Sequence, residues 1–244
     1  MQQQVGELAQ PNLKVGFGLP FTQAGGIFCR DPNSGTQITV AKNIGVPASV
    51  MVAPVCVPST NGTAGVISGV TTYATPGSAI GFIGADAYDP VRTTLNSLAF
   101  KGFGQTLAYY SDSGPSTADR RNVRDGHYLI WGYEHMIATV DTTGALTNPK
   151  AANFIGWING TKTDSSFDYV QVEGSAGTIP VCAMKVKRSA DGGLLDHYTP
   201  ADSCSCAFEA AITKTTPAAC SMTCTGTGTS TCTGGTACHH GFCE

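Results

Sequence analysis

The sequence predicts an α/β fold followed by a small module held by disulfides. Three observations carry that prediction. Short apolar runs alternate with stretches of helical period across residues 26–186, and Gly or Pro punctuates the alternation. Strands interleaved with helices indicate an α/β sheet. After about residue 203 the composition changes, and seven of the ten cysteines fall there. A chain of 244 residues has material for one large domain or two small lobes.

The elements follow in order. Residues 1–25 are polar and turn-rich, with a short strand expected at 13–17. The apolar run 26–29 predicts a strand, and 37–44 a helix, with Ile38, Ala41 and Ile44 at helical spacing and Gly45 as its C-cap. Residues 46–58 form an irregular, Pro-rich strand region. Asn61-Gly62 marks a turn, after which Val66, Ile67, Val70 and Tyr73 share a helical face until Pro76-Gly77 breaks it. Strands are expected at 78–83, at 94–100 and at 128–133, the last leading to a short helix at 134–140. Residues 104–125 read as a polar loop. The best helix follows: Asn148 caps it, Pro149 opens it, and Ala151, Phe154, Ile155 and Ile158 keep one face. A last strand is expected at 180–186.

Composition excludes several classes. A formal charge of −3 with 13% charged residues argues against a nucleic-acid partner. The longest apolar stretch, 46–57, is broken by Pro47 and Pro54 and falls far short of the roughly 20 residues a bilayer span requires. Ten cysteines concentrated at one end indicate a disulfide framework made in an oxidising compartment. Yet residues 1–4 begin no signal peptide, having neither a basic segment nor an apolar one. The two observations are reconciled if the chain has lost its natural N-terminus. Residues 213–236 hold ten threonines among Gly-Thr repeats and cannot bury an apolar core, so disulfides must hold their shape.

The stretch Arg30-Asp31-Pro32-Asn33-Ser34-Gly35-Thr36 is the one built to hold a ligand. It joins a strand to a helix start, where free N–H groups and the positive end of the helix dipole attract anions. Gly35 removes a Cβ that would keep a ligand off the backbone. Arg30 can add a bidentate fork that matches a tetrahedral oxyanion.

Arg-x-x-x-Ser-Gly-Thr after a strand, followed about 45 residues later by Pro76-Gly77-Ser78-Ala79-Ile80-Gly81-Phe82, resembles the phosphate-binding periplasmic receptors of ABC transporters, the PstS-like proteins. The order of elements downstream fits as well, and the resemblance covers roughly residues 26–190. It implies a type II periplasmic-binding fold, incomplete at the N-terminus. It also implies that Arg30, Ser34, Gly35 and Thr36 are the oxyanion ligands of one lobe. Two features depart from the family pattern. Pro32 stands where the family carries an acid, and the family's first-lobe ligands have no counterpart in residues 1–25.

Other candidates resolve differently. Arg120, Arg121 and Arg124 are flanked by Asp119 and Asp125 and read as a solvated, self-neutralised loop. Cys238-His239-His240-x-x-Cys243 has zinc-type ligands, but its cysteines are better matched to one another as disulfides. The five cysteines from Cys220 onward are odd in number, so one should pair with Cys204 or Cys206. Cys29, Cys56 and Cys182 would take the remaining partners. His127, His135 and His197 lack a matched nucleophile, and no hydrolase elbow or nucleotide loop occurs. Asn61-Gly62-Thr63 and Asn159-Gly160-Thr161 match the glycosylation pattern.

The expectation is thus a segment at 1–25, a PstS-like binding region at 26–200 and a Cys-rich module at 201–244. The protein is expected to be secreted, periplasmic or surface-attached. It would bind phosphate or a related oxyanion without catalysis, cofactor or metal. An ABC permease or a cell-surface component would be its partner. The alternative is an extracellular structural or adhesion protein that keeps the fold without the ligand.

Overall fold

A computed structural model describes residues 21, 24–162, 166–225, 232 and 236–244. The strand expected at 13–17 lies outside the described residues. The protein is mixed α/β with small sheets and a C-terminal stretch rich in disulfides. Contacts divide it into two units. One comprises residues 1–116, 121–132 and 188–196, the other residues 117–120, 133–187 and 197–244. Among the described residues, no helix is long and apolar enough to cross a membrane.

The first unit is built on strand β1 (Ile27–Cys29), helix α1 (Gly35–Ile44), strand β2 (Val57–Pro58), helix α2 (Gly62–Thr72) and strand β3 (Ile80–Gly81). β1 lies between its two neighbours and runs parallel to both, with Phe28 opposite Val57 and Gly81. Such pairing requires crossover connections, which α1 and α2 supply. Two short helices follow, α3 (Ala85–Tyr88) and α4 (Arg121–Arg124).

α1 forms where expected and ends at Gly45, but its inward face is rotated from the expected one. Gln37, Val40, Ala41 and Ile44 are buried, whereas Ile38 is partly exposed. Gln37 can take an inward position because its amide donates to the Met51 carbonyl at 2.8 Å. A buried polar group is tolerated when it is hydrogen-bonded. Ile27, Cys29, Val40, Ala41, Ile44, Val46, Met51, Cys56 and Phe100 form the core of this unit. Each fully buried aliphatic side chain there contributes roughly 1.5–3 kcal/mol.

α2 sits close on the sheet. A Cβ on Gly69 would meet the Phe28 ring at 2.4 Å, so only glycine permits this approach. The Cys29–Cys56 disulfide ties the end of β1 to the chain entering β2.

Three expected elements are corrected in this region. Residues 94–100 make a single bridge, Phe100 with Tyr109, in place of a strand. Residues 128–133 are extended but join no ladder, because Arg188 donates to the carbonyls of Leu129 and Trp131 at 2.8 Å each. The 134–140 segment is not helical. Its apolar residues Met136, Ile137 and Val140 are exposed, so no packing rewards a helix there.

The second unit contains helices α5 (Pro149–Ile158), α6 (Tyr169–Ser175) and α7 (Ser205–Thr213). α5 starts as expected, with the Asn148 side chain accepting from the Lys150 amide at 3.0 Å. Val170, Cys182, Ala183, Cys204 and Phe208 form its core. The strand expected at 180–186 is displaced. Residues 181–183 form a tight turn after Pro180, held by the Cys182–Cys204 bond and by the Cys204 amide donating to the Cys182 carbonyl at 3.0 Å. Strand β4 (Val186–Arg188) begins only after that turn and pairs with β5 (Leu195–His197). β6 (Cys238–His239) and β7 (Phe242–Cys243) form an antiparallel hairpin. The carboxylate of Glu244 accepts from the Cys206 amide at 2.7 Å and from the Ser203 hydroxyl, which caps the start of α7.

Candidate functional site

β1 delivers Arg30 to the carboxyl edge of a parallel sheet. The chain leaving β1 returns through α1 as β2 on one side, and the chain leaving β2 returns through α2 as β3 on the other. In open α/β sheets this reversal of direction opens a crevice at the carboxyl ends of the strands, where ligands bind.

The turn after β1 is folded by Asp31. Its carboxylate accepts from the Asn33 amide at 2.9 Å, and its carbonyl accepts from the Ser34 amide at 2.8 Å. Ser34 then takes the N-cap position with extended backbone, and its hydroxyl caps nothing. Gly35 opens the helix with unobstructed space around it: a Cβ there would meet nothing within 4 Å.

The Arg30 guanidinium lies between two helix starts. Nη1 donates to the Thr63 hydroxyl at 2.5 Å and to the Thr36 hydroxyl at 3.5 Å. Nε is buried and makes no hydrogen bond. No carboxylate pairs with Arg30 among the described residues, since Asp31 is turned into its own loop. Thr63 is placed by a second strand-to-helix turn. Here the Ser59 amide donates to the Cys29 carbonyl at 2.8 Å, and the Ser59 hydroxyl to the Gly62 carbonyl at 2.6 Å. Gly62 has φ of 53°, a conformation that favours glycine, and it faces Arg30 Nη2.

The structure thus brings Arg30 and Thr36 together at the start of the helix that Gly35 opens after Ser34. It adds Thr63, which sequence reasoning noticed only as part of a glycosylation triplet. The signal was present. Gly62-Thr63 opens a helix after a strand, as Gly35-Thr36 does, with Asn and Ser/Thr residues just upstream in both. Chemically, a guanidinium, two hydroxyls and the unpaired amides of two helix starts are all hydrogen-bond donors.

The remaining candidates occupy other roles. The expected solvated arginine loop is corrected: Asp119, Arg120 and Arg124 are buried, and of the three arginines only Arg121 is exposed. Asp112, in the same stretch of sequence, is also buried and pairs with Arg92 at 2.9 Å. Burial pushes the nearby Tyr128 phenol up to about 12, and the Asp112 charge adds to the shift.

All ten cysteines are paired, as Cys29–Cys56, Cys182–Cys204, Cys206–Cys220, Cys224–Cys238 and Cys232–Cys243. The sulfurs of Cys224, Cys232 and Cys243 cluster within 4.8 Å, but all three belong to disulfides and offer no thiolate to a metal. His239 and His240 both face the Asp202 carboxylate, at 2.6 and 3.4 Å. A hollow of about 350 Å³ beside Asn43, Phe103 and Leu194 has Arg188 in its wall. That guanidinium is engaged by the Asn43 side chain at 2.5 Å and by two carbonyls, and it stacks on the Trp131 ring.

Comparison with known proteins returns no match: no family model fits the chain, and neither a curated protein nor a solved structure resembles it.

Proposed function

We propose that this protein is a non-catalytic oxyanion-binding protein of the PstS-like kind, with Arg30, Ser34, Gly35 and Thr36 as ligands of phosphate or a related anion. One observation carries the reading. Arg30 is a partly buried cation at the carboxyl edge of a parallel sheet, bonded to threonine hydroxyls and, among the described residues, paired with no carboxylate. Removing a cation from water is costly unless an anion or a set of acceptors compensates it. In this location a bound oxyanion is the natural compensation. The type II periplasmic-binding fold and an ABC permease or surface partner belong to the same proposal. Five disulfides suit an extracellular or otherwise oxidising compartment.

A second reading, an extracellular structural or adhesion protein, draws on the exposed apolar residues Tyr133, Met136, Ile137 and Val140. Contiguous exposed apolar surface marks interaction sites. Isothermal titration of the full chain with phosphate and with sulfate separates the two readings. The oxyanion reading expects measurable binding of at least one anion. It also expects Arg30→Ala to weaken binding by about 1.5–3 kcal/mol, the scale of a hydrogen bond to a charged group. No heat with either anion leaves the adhesion reading.

A further inference from the structure

We infer that the C-terminal tail carries a thiol–disulfide exchange site centred on Cys224, where a small external thiolate makes the Cys224–Cys238 and Cys232–Cys243 bonds trade partners. The observation behind it is a convergence of sulfurs. Cys224 Sγ lies within 4.8 Å of both sulfurs of the Cys232–Cys243 bond, although its own partner is Cys238. Cys238 is not part of that group.

The backbone holds these sulfurs near one another. Thr223 bridges Phe242, the Cys224 amide donates to the Gly241 carbonyl at 3.0 Å, and the Cys243 amide donates to the Met222 carbonyl at 3.0 Å. On its other side β7 pairs with β6, which sets Cys243 opposite Cys238. β7 therefore lies between β6 and the 222–224 segment. The carboxylate of Glu244 ties the same segment to the start of α7. These bonds join backbone groups and one carboxylate, so they do not depend on which sulfurs are linked.

Exposure separates the roles. Cys224, Cys232 and Cys243 are half-buried, whereas Cys238 is 2% exposed. Exchange requires a thiolate and access to the sulfur it attacks. An external thiolate that attacks Cys243 forms a mixed disulfide there and expels Cys232 as a thiolate. Cys232 then attacks Cys224: the Cys224–Cys232 bond forms, the Cys224–Cys238 bond breaks, and the electron pair leaves on Cys238. Cys238 faces Cys243 across the hairpin and can expel the external thiol from it, closing a Cys238–Cys243 bond. Attack on Cys232 gives the corresponding sequence with Cys243 as the second nucleophile. Nothing is oxidised or reduced overall. The one co-reactant is a low-molecular-mass thiol, and it is returned.

The test incubates the full chain with a substoichiometric amount of reduced glutathione at about pH 8.5, where an ordinary thiol is half ionised. N-ethylmaleimide stops the reaction, and mass spectrometry of unreduced peptides maps the bonds. Cys224–Cys232 or Cys224–Cys243 peptides should appear at least about tenfold faster than any new bond of the other six cysteines, because the reacting sulfurs are already neighbours. Unchanged tail pairings overturn the inference. Exchange at similar rates over all five disulfides overturns it too. Two variants delete the same bond with different expected results. Cys238→Ser frees Cys224, and the maleimide should then spread over Cys224, Cys232 and Cys243. Cys224→Ser frees Cys238, which should carry the label alone. The same labelling pattern in both variants removes Cys224 from the centre of the site. If circular dichroism shows that either variant does not fold, the wild-type mapping decides by itself.

Discussion

Glu173, on α6, holds its proton far more tightly than an ordinary carboxyl. Burial lifts it to about 7, and one of its oxygens is buried without a hydrogen bond. In the unfolded chain the group titrates near 4.5. Between those values the folded protein keeps a proton that the unfolded chain has shed. Stability therefore falls as pH rises from about 4.5 to about 7, and is level above that. Glu173→Gln removes the titration. A series of thermal melts across this window should show a shallower decline in the variant than in the wild type. An unchanged slope would place the titration on another group. At this scale the sequence was legible where spacing imposed geometry. Arg30 and Thr36 meet because a tight turn returns the helix start to the strand end only six positions on. Thr63 escaped notice because its partner is 33 residues away, a contact that only the parallel pairing of β1 and β2 creates. Gln37 was missed as a core residue because its polarity conceals an amide nitrogen that donates to a distant carbonyl.

Elements were legible where they carried their own start signals. α1, α2 and α5 each begin at a Ser or Asn and bury or half-bury one face, and each forms as expected. The strands expected at 94–100 and 128–133 failed for a different reason. Their apolar content was right, but a strand exists only with a ladder partner, and here one side-chain cation and a lone bridge take the backbone groups. The best-secured group of elements is β1, α1 and β2, closed by Cys29–Cys56 across 27 residues. Chain-entropy scaling gives a loop of that length about 3.5 kcal/mol of stabilisation. The double variant Cys29→Ser, Cys56→Ser should lose about that much in denaturant unfolding. It should also weaken anion binding, because Arg30 follows Cys29 directly. A loss below about 1 kcal/mol would mean that the core alone secures the sheet.

The whole molecule was legible mainly through its cysteines. An even count, and the odd run from Cys220 onward, led to the expectation that one of that run pairs with Cys204 or Cys206, as Cys220 does with Cys206. The interleaving of the last four was beyond arithmetic, since several pairings satisfy the same spacing. Thiol titration under denaturing, non-reducing conditions should find none of the ten cysteines free, and ten free after reduction. Several free thiols without reductant would reopen the metal reading of the tail.

The connectivity also bears on how the chain matures. Synthesis presents a protein to its compartment N-terminus first. Six cysteines pair with the next one along, as 29–56, 182–204 and 206–220, so each can close on the first free thiol it meets. The final four cross, 224 with 238 and 232 with 243, so nearest-neighbour closure there gives the wrong bonds. Any need for an isomerase, or for spontaneous reshuffling over seconds to hours, falls on residues 224–243.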